Sequence, residues 1–148
     1  MLLPPCGPTA TADDRCTRVI VIDASVLATA VVDDGGAGVR ARTRMRGEAA
    51  TAPELIDAEV ASALRRQVRS GALSADRAEA ALADLVEYPL TRVGHRRLLS
   101  RAWGLRANVT IYDGLYVALA EMLDLILVTA DARLSRAPGL RCAVDLVG

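Results

Sequence analysis

Four carboxylates stand where the surrounding residues are apolar or where a strand has just ended. Asp23 follows the run "VIVI" at residues 19–22, and Asp131 comes two positions after the run "LILVT" at residues 125–129. Asp113 opens "DGLYVALA", the most apolar stretch of the chain, and Glu59 lies inside "PELIDAEVASALRR". At a helical step of about 100° per residue, Leu55 and Ala63 fall about 40° to either side of Glu59 and Ile56 about 60° away. Glu59 therefore faces inward, whereas Asp57 and Glu54 belong to the solvent face. A buried, unpaired carboxylate is costly, and several together repel one another, so such a set calls for a cation. For an all-oxygen donor set the natural cation is Mg²⁺ or Mn²⁺. Each acid also has an ordinary alternative. Asp23 and Asp131 can cap the helices that follow them, Thr110 and Asp113 fit a capping box, and Glu59 can pair with Arg66 or another Arg.

The elements that must position these acids read as alternating strands and helices. "RVIVI" (residues 18–22) suits a buried parallel strand, followed by a helix over Ser25–Val32, a turn at "DDGG" and a helix over residues 37–46. "EAATAP" supplies a short strand, with Pro53 in the first turn of a helix running to Ser70 and Gly71 as its stop. Ser74 caps a helix to Glu87, "YPLTRV" is a strand, and residues 95–106, with Trp103, form a helix. Residues 111–123 form a buried helix, and "LILVT" and "RCAV" complete the strands. The expectation is an α/β fold, a single domain with a parallel sheet of about five strands flanked by helices on both faces. In such a sheet functional groups collect outside the carboxyl ends of the strands, where Asp23 and Asp131 lie. Residues 1–17, rich in Pro, Thr, Ala and Asp, read as a mobile leader before a domain over 18–148.

Composition narrows the chemistry. The chain has 148 residues, enough for one domain with a real core, and 52% of them are hydrophobic but only 3% aromatic. Net charge is zero, so any contact with nucleic acid must be local rather than long-range. All 18 basic residues are Arg, which removes every mechanism that needs a Lys. Arg40, Arg42, Arg44 and Arg46 spread round a helix rather than lining one face. Cys6, Cys16 and Cys142 have no CxxC spacing, which fits a reducing cytoplasm and no zinc site. No run is long enough to span a bilayer.

"VIVIDASVL", "PELIDAEVASALRR" and "VTIYDGLYVALAEMLDLILVTADARL" together resemble the PIN domain, specifically the VapC toxins of bacterial toxin–antitoxin pairs, over residues 18 to about 145. The resemblance implies Asp23, Glu59, Asp113 and Asp131 as catalytic and metal-holding residues. Ser25 and Thr129 match the family's hydroxyl positions and would hold carboxylates by hydrogen bonds. It further implies a divalent-metal-dependent endoribonuclease, usually dimeric and neutralised by a small VapB-like antitoxin. In-line hydrolysis of an RNA phosphodiester would use one or two Mg²⁺ ions, with Mn²⁺ as substitute, to polarise the phosphoryl oxygen and lower the pKa of water.

Two other readings share some of these features. A phosphoaspartate receiver or phosphatase also places an Asp after the first strand, but both rely on a Lys, and the phosphatase needs a second Asp where Ser25 stands. A non-catalytic domain of the same fold is the third reading, against which four intact acids argue. A metal-free ribonuclease using paired histidines is excluded by the single His95, which is assigned to a helix surface far from the acids. Trp103 and the three tyrosines are assigned to core or interface positions.

Overall fold

The computed structural model describes residues 17–148. The expected leader, all but Thr17, and Cys6 and Cys16 lie outside the described residues. Five strands, β1 (Val19–Ile22), β2 (Ala49–Pro53), β3 (Leu90–Val93), β4 (Leu127–Thr129) and β5 (Val144–Leu146), form one parallel sheet in the order β3-β2-β1-β4-β5. Seven α-helices connect them: α1 (Ala24–Val32), α2 (Gly36–Met45), α3 (Ile56–Arg69), α4 (Ala75–Glu87), α5 (Leu99–Gly104), α6 (Ile111–Leu123) and α7 (Ala132–Ser135). Ile20, Val21 and Ile22 alternate between the two faces of β1, yet each is at most 1% exposed. Both faces of the sheet are therefore covered, which is why this strand carries no polar alternation.

The centre of the sheet is also where its winding reverses. From β1 the chain builds outward to β2 and β3 on one side, then returns to lay β4 and β5 on the other. A crevice opens outside the carboxyl ends of the strands at such a reversal. Asp23 leaves β1 and Thr129 leaves β4 at this point, and the Asp23 amide donates to the Val128 carbonyl at 2.9 Å. A receiver-type sheet places its first strand between the second and third. Here β1 lies between β2 and β4, so the receiver alternative does not fit the topology.

Helix α6 is buried from Gly114 through Ala120, packed against β1, β2, β4 and α5. Gly114 allows this: a Cβ there would stand 3.1 Å from Cα of Ala102 in α5. Ser74 caps α4 as expected, its hydroxyl accepting from the Arg77 amide at 3.2 Å.

Several boundaries differ from the sequence reading. Pro53 ends β2, opposite Val93, rather than opening α3, because the Glu54 amide still donates to the Val93 carbonyl at 3.0 Å. The helix expected over residues 95–106 is a 3₁₀ turn at His95–Arg97 followed by the short α5. β5 starts at Val144 rather than Arg141, because the Arg141 amide is held by Glu121 at 2.8 Å and is taken out of the ladder.

Candidate active site

Asp23 occupies the position before α1, but its side chain makes no cap bond. Its Oδ2 instead accepts from the Ser25 hydroxyl at 2.6 Å and the Thr129 hydroxyl at 2.8 Å. Each hydroxyl is itself fixed: Ser25 Oγ accepts from the Ala130 amide at 3.1 Å and Thr129 Oγ1 from the Asp131 amide at 3.0 Å. The ends of β1 and β4 are thus laced together by side-chain oxygens. Asp23 is only 6% exposed, and burial pushes its carboxyl above the ordinary range. The two hydroxyls pull it back in part, and the charge of Asp113 adds to the rise.

Glu59 projects from the first turn of α3 into the same space. Its Oε2 accepts from the Tyr116 hydroxyl at 2.6 Å, and no Arg pairs with it among the described residues. Burial raises the Glu59 carboxyl, the phenol lowers it, the charges of Asp23 and Asp113 raise it, and Arg66 lowers it. The outward acids behave differently. Asp57 receives a paired contact from Arg92 of β3, at 2.7 and 2.9 Å, and Glu54 is exposed. Asp57 is thus tied to the edge of the sheet rather than free in solvent.

Asp113 and Asp131 keep the capping roles that the sequence left open. The Thr110 hydroxyl accepts from the Asp113 amide at 3.1 Å and lies 2.8 Å from Asp113 Oδ2. Asp131 accepts from the Arg133 amide at 2.7 Å, and this bond above all holds its carboxyl below the usual range. Capping does not remove them from the site. Asp23, Glu59, Asp113 and Asp131 all line one open cleft of about 510 Å³, with Ser25, Tyr112 and Arg66 on its walls. The charge of Asp113 raises the cost of ionising both Asp23 and Glu59, and Asp23 raises that of Glu59, whereas Asp131 answers mainly to Arg133.

This donor set of carboxylate and hydroxyl oxygens, in which Asp23 and Glu59 resist ionisation, fits a hard divalent cation. In their present rotamers, no three carboxylate, imidazole or thiol groups among the described residues are gathered closely enough to enclose one. Closure round an ion would take side-chain rotation rather than a change of fold, since the acids already share the cleft.

Two contributors escaped the sequence reading. Tyr116 is fully buried, as a core assignment requires, but its hydroxyl ends on Glu59. Its position three residues after Asp113, on the same helix face, was the available signal. His95 is not idle surface: its Nε2 accepts from the Leu55 amide at 3.0 Å, at the entrance to α3. No local pattern announces that contact, which spans forty positions. Trp103 is 62% exposed and so is not a core residue.

Comparison with known proteins agrees with this geometry. The family model described as PIN domain matches residues 20–140. Ribonuclease VapC1 of Mycobacterium tuberculosis is 44% identical over 136 residues, covering 90% of this chain and 98% of that protein. The solved structure of Mycobacterium tuberculosis VapC20, described as a sarcin-ricin loop cleaving toxin, superposes with a TM-score of 0.63 at 14% identity, over 78% of this chain and 92% of that one. VapBC2 from Rickettsia felis, solved bound to a DNA fragment from its promoter, gives 0.63 at 12% identity, over 88% and 99%. A buried acid at the end of the first strand, an inward Glu on the third helix and an acid opening the most apolar helix thus occur in a chain that belongs to the PIN domain family, among the VapC ribonucleases.

Proposed function

We propose that this protein is a divalent-metal-dependent endoribonuclease, the toxin of a toxin–antitoxin pair, with Mg²⁺ as its resident ion and Mn²⁺ as a working substitute. The observation that carries this reading is the cleft itself. Asp23, Glu59 and Asp113 arrive from β1, α3 and α6 without a paired cation among the described residues, although burial and the charge of Asp113 make ionising Asp23 and Glu59 unfavourable. Bound there, the divalent ion would polarise the phosphoryl oxygen and lower the pKa of water. The protein's own residues then divide the remaining work. Asp23, Glu59, Asp113 and Asp131 hold the ion directly or through water. Ser25 and Thr129 fix Asp23 by donating to its Oδ2, and Tyr116 fixes Glu59. The relatives named VapC and VapBC support RNA as substrate and a VapB-like antitoxin as partner. The homodimer is carried over from the resemblance in sequence.

The test is cleavage of a structured RNA transcript by purified protein in Mg²⁺, Mn²⁺, Ca²⁺ and EDTA. Cleavage is expected with the first two, little with Ca²⁺, which coordinates more loosely, and none in EDTA. Glu59→Gln should abolish it, while Glu54→Gln and Asp57→Asn leave it nearly intact. Full activity in EDTA would overturn the reading.

A further inference from the structure

A second cleft, of about 460 Å³, adjoins the first and shares two of its acids, Asp113 and Asp131. Its remaining wall carries the opposite charge, from Arg106 and Arg133. The two guanidiniums differ from Arg44, Arg92 and Arg101 in what they are committed to. Arg44, Arg92 and Arg101 each contact a carboxylate at 2.6–2.7 Å. Arg106 has no carboxylate partner among the described residues, and Arg133, with its side chain 91% exposed, stands 3.5 Å from Asp131.

Arg106 is nonetheless held in place. Its guanidinium lies 4.9 Å above the centre of the Trp103 ring, and its Nη1 donates to the Trp103 carbonyl at 3.0 Å. The loop that presents it is pinned too. The Asn108 amide donates to the Leu105 carbonyl at 2.8 Å, and its side chain donates to the Pro138 carbonyl at 3.0 Å. An oriented guanidinium with donors still free suits an oxyanion that can accept several hydrogen bonds, as a phosphodiester does.

We infer that the RNA strand continues from the acid cluster into this second cleft, where Arg106 and Arg133 hold the phosphodiester next to the one being cut. The inference rests on the ribonuclease reading above and adds a substrate-holding site to it. A polymer that lies across Asp113 and Asp131 must leave the first cleft. The second is the neighbouring cavity that begins at the same two residues and meets the strand with positive charge. Because the whole molecule is neutral, such local cations are what can offset the repulsion between phosphate and the acids.

The test uses the full chain, Ca²⁺, with which little turnover is expected, and a fluorescein-labelled oligoribonucleotide of mixed sequence, in anisotropy titrations over a range of salt. Arg106→Ala and Arg133→Ala are each expected to weaken binding about tenfold. Each should also reduce the slope of log K against log salt by about 0.7, the value for one single-strand phosphate contact. Arg40→Ala, on exposed α2, should change neither. On a cleavable transcript, Arg106→Ala should raise KM and leave kcat within about twofold, because a remote phosphate contact binds ground and transition states alike. Unchanged binding and slope in both Arg variants, with an active wild type, would overturn the second cleft and leave the ribonuclease reading intact. A wild type that neither binds nor cleaves RNA would overturn both. Loss of antitoxin inhibition in Arg106→Ala with RNA binding unchanged would assign the cleft to the protein partner and equally overturn the inference.

Discussion

A phenol donating at 2.6 Å to a half-buried carboxylate does two things at once: it fixes the carboxylate's rotamer and favours its ionised form. Tyr116→Phe keeps the packing and removes both effects. Cleavage should fall about tenfold, the scale of one hydrogen bond to a charged group. The acid limb of the pH–rate profile should move to higher pH, because burial and the neighbouring charges then act on Glu59 without the opposing phenol. A profile that only drops in height would limit Tyr116 to packing. Asp23 gives a second test, in EDTA. Its folded carboxyl titrates above the unfolded one. Below the unfolded value both forms are protonated and the group is neutral for stability. As pH rises through the raised folded value, ionisation opposes folding. Asp23→Asn should therefore match or exceed the wild-type melting temperature at neutral pH, and that gain should vanish on acidification. Glu121 and Asp131, whose carboxyls are depressed, lose their stabilisation as pH falls, but they do so in both proteins and cancel in the difference. At this scale the four acids were legible because each breaks a local pattern, and the two hydroxyls only through the family resemblance. Tyr116, a buried aromatic in an apolar helix, breaks none, and only its spacing from Asp113 marked it.

Helix α3 carries Glu59, so whatever fixes its first turn also aims the carboxylate. Its leading amide, Leu55, is satisfied by the imidazole of His95 rather than by a local cap. His95→Ala should lower stability by about 1 kcal/mol, read from urea melts, and reduce cleavage without touching the cleft. His95→Gln, whose carbonyl oxygen can accept from the same amide, should recover most of both. Equal loss in the two variants would mean that the ring's packing matters rather than its acceptor nitrogen. The same competition between local signal and distant partner explains the shifted boundaries. Pro53 carries a helix-opening signal, but pairing with β3 extends the strand through it. Arg141 looks like the start of a strand, yet its amide is already taken by Glu121, which also receives two contacts from Arg101 at 2.6 and 2.9 Å. Local sequence carries the element; the partner across space decides where it ends.

Seen whole, the molecule is electrically neutral but unevenly charged, with acids at the crevice and Arg on its flanks. An ion that binds only the folded form stabilises it by RT ln(1 + [L]/Kd), so millimolar Mg²⁺ should raise the wild-type melting temperature measurably. Asp23→Asn should gain much less. Equal shifts in the two proteins would mean that Mg²⁺ acts through general surface effects instead of through the cleft. Strand order belongs to this scale, and the chain read locally did not contain it. Five strands and their helices follow from hydrophobic runs, whereas the placement of β4 beside β1 depends on how the finished layers pack.

The lacing of β1 to β4 by Ser25 and Thr129 bears on how the two halves of the sheet separate. The amides of Ala130 and Asp131 lie outside any helix or strand, but each donates to one of those hydroxyls, at 3.1 and 3.0 Å. In heavy water they should exchange their protons slowly, on the schedule of the sheet interior rather than of a loop. Ser25→Ala should release Ala130 and Thr129→Val should release Asp131, each leaving the other slow. The two amides thus serve as separate isotopic clocks for the opening of the crevice on which the acids depend.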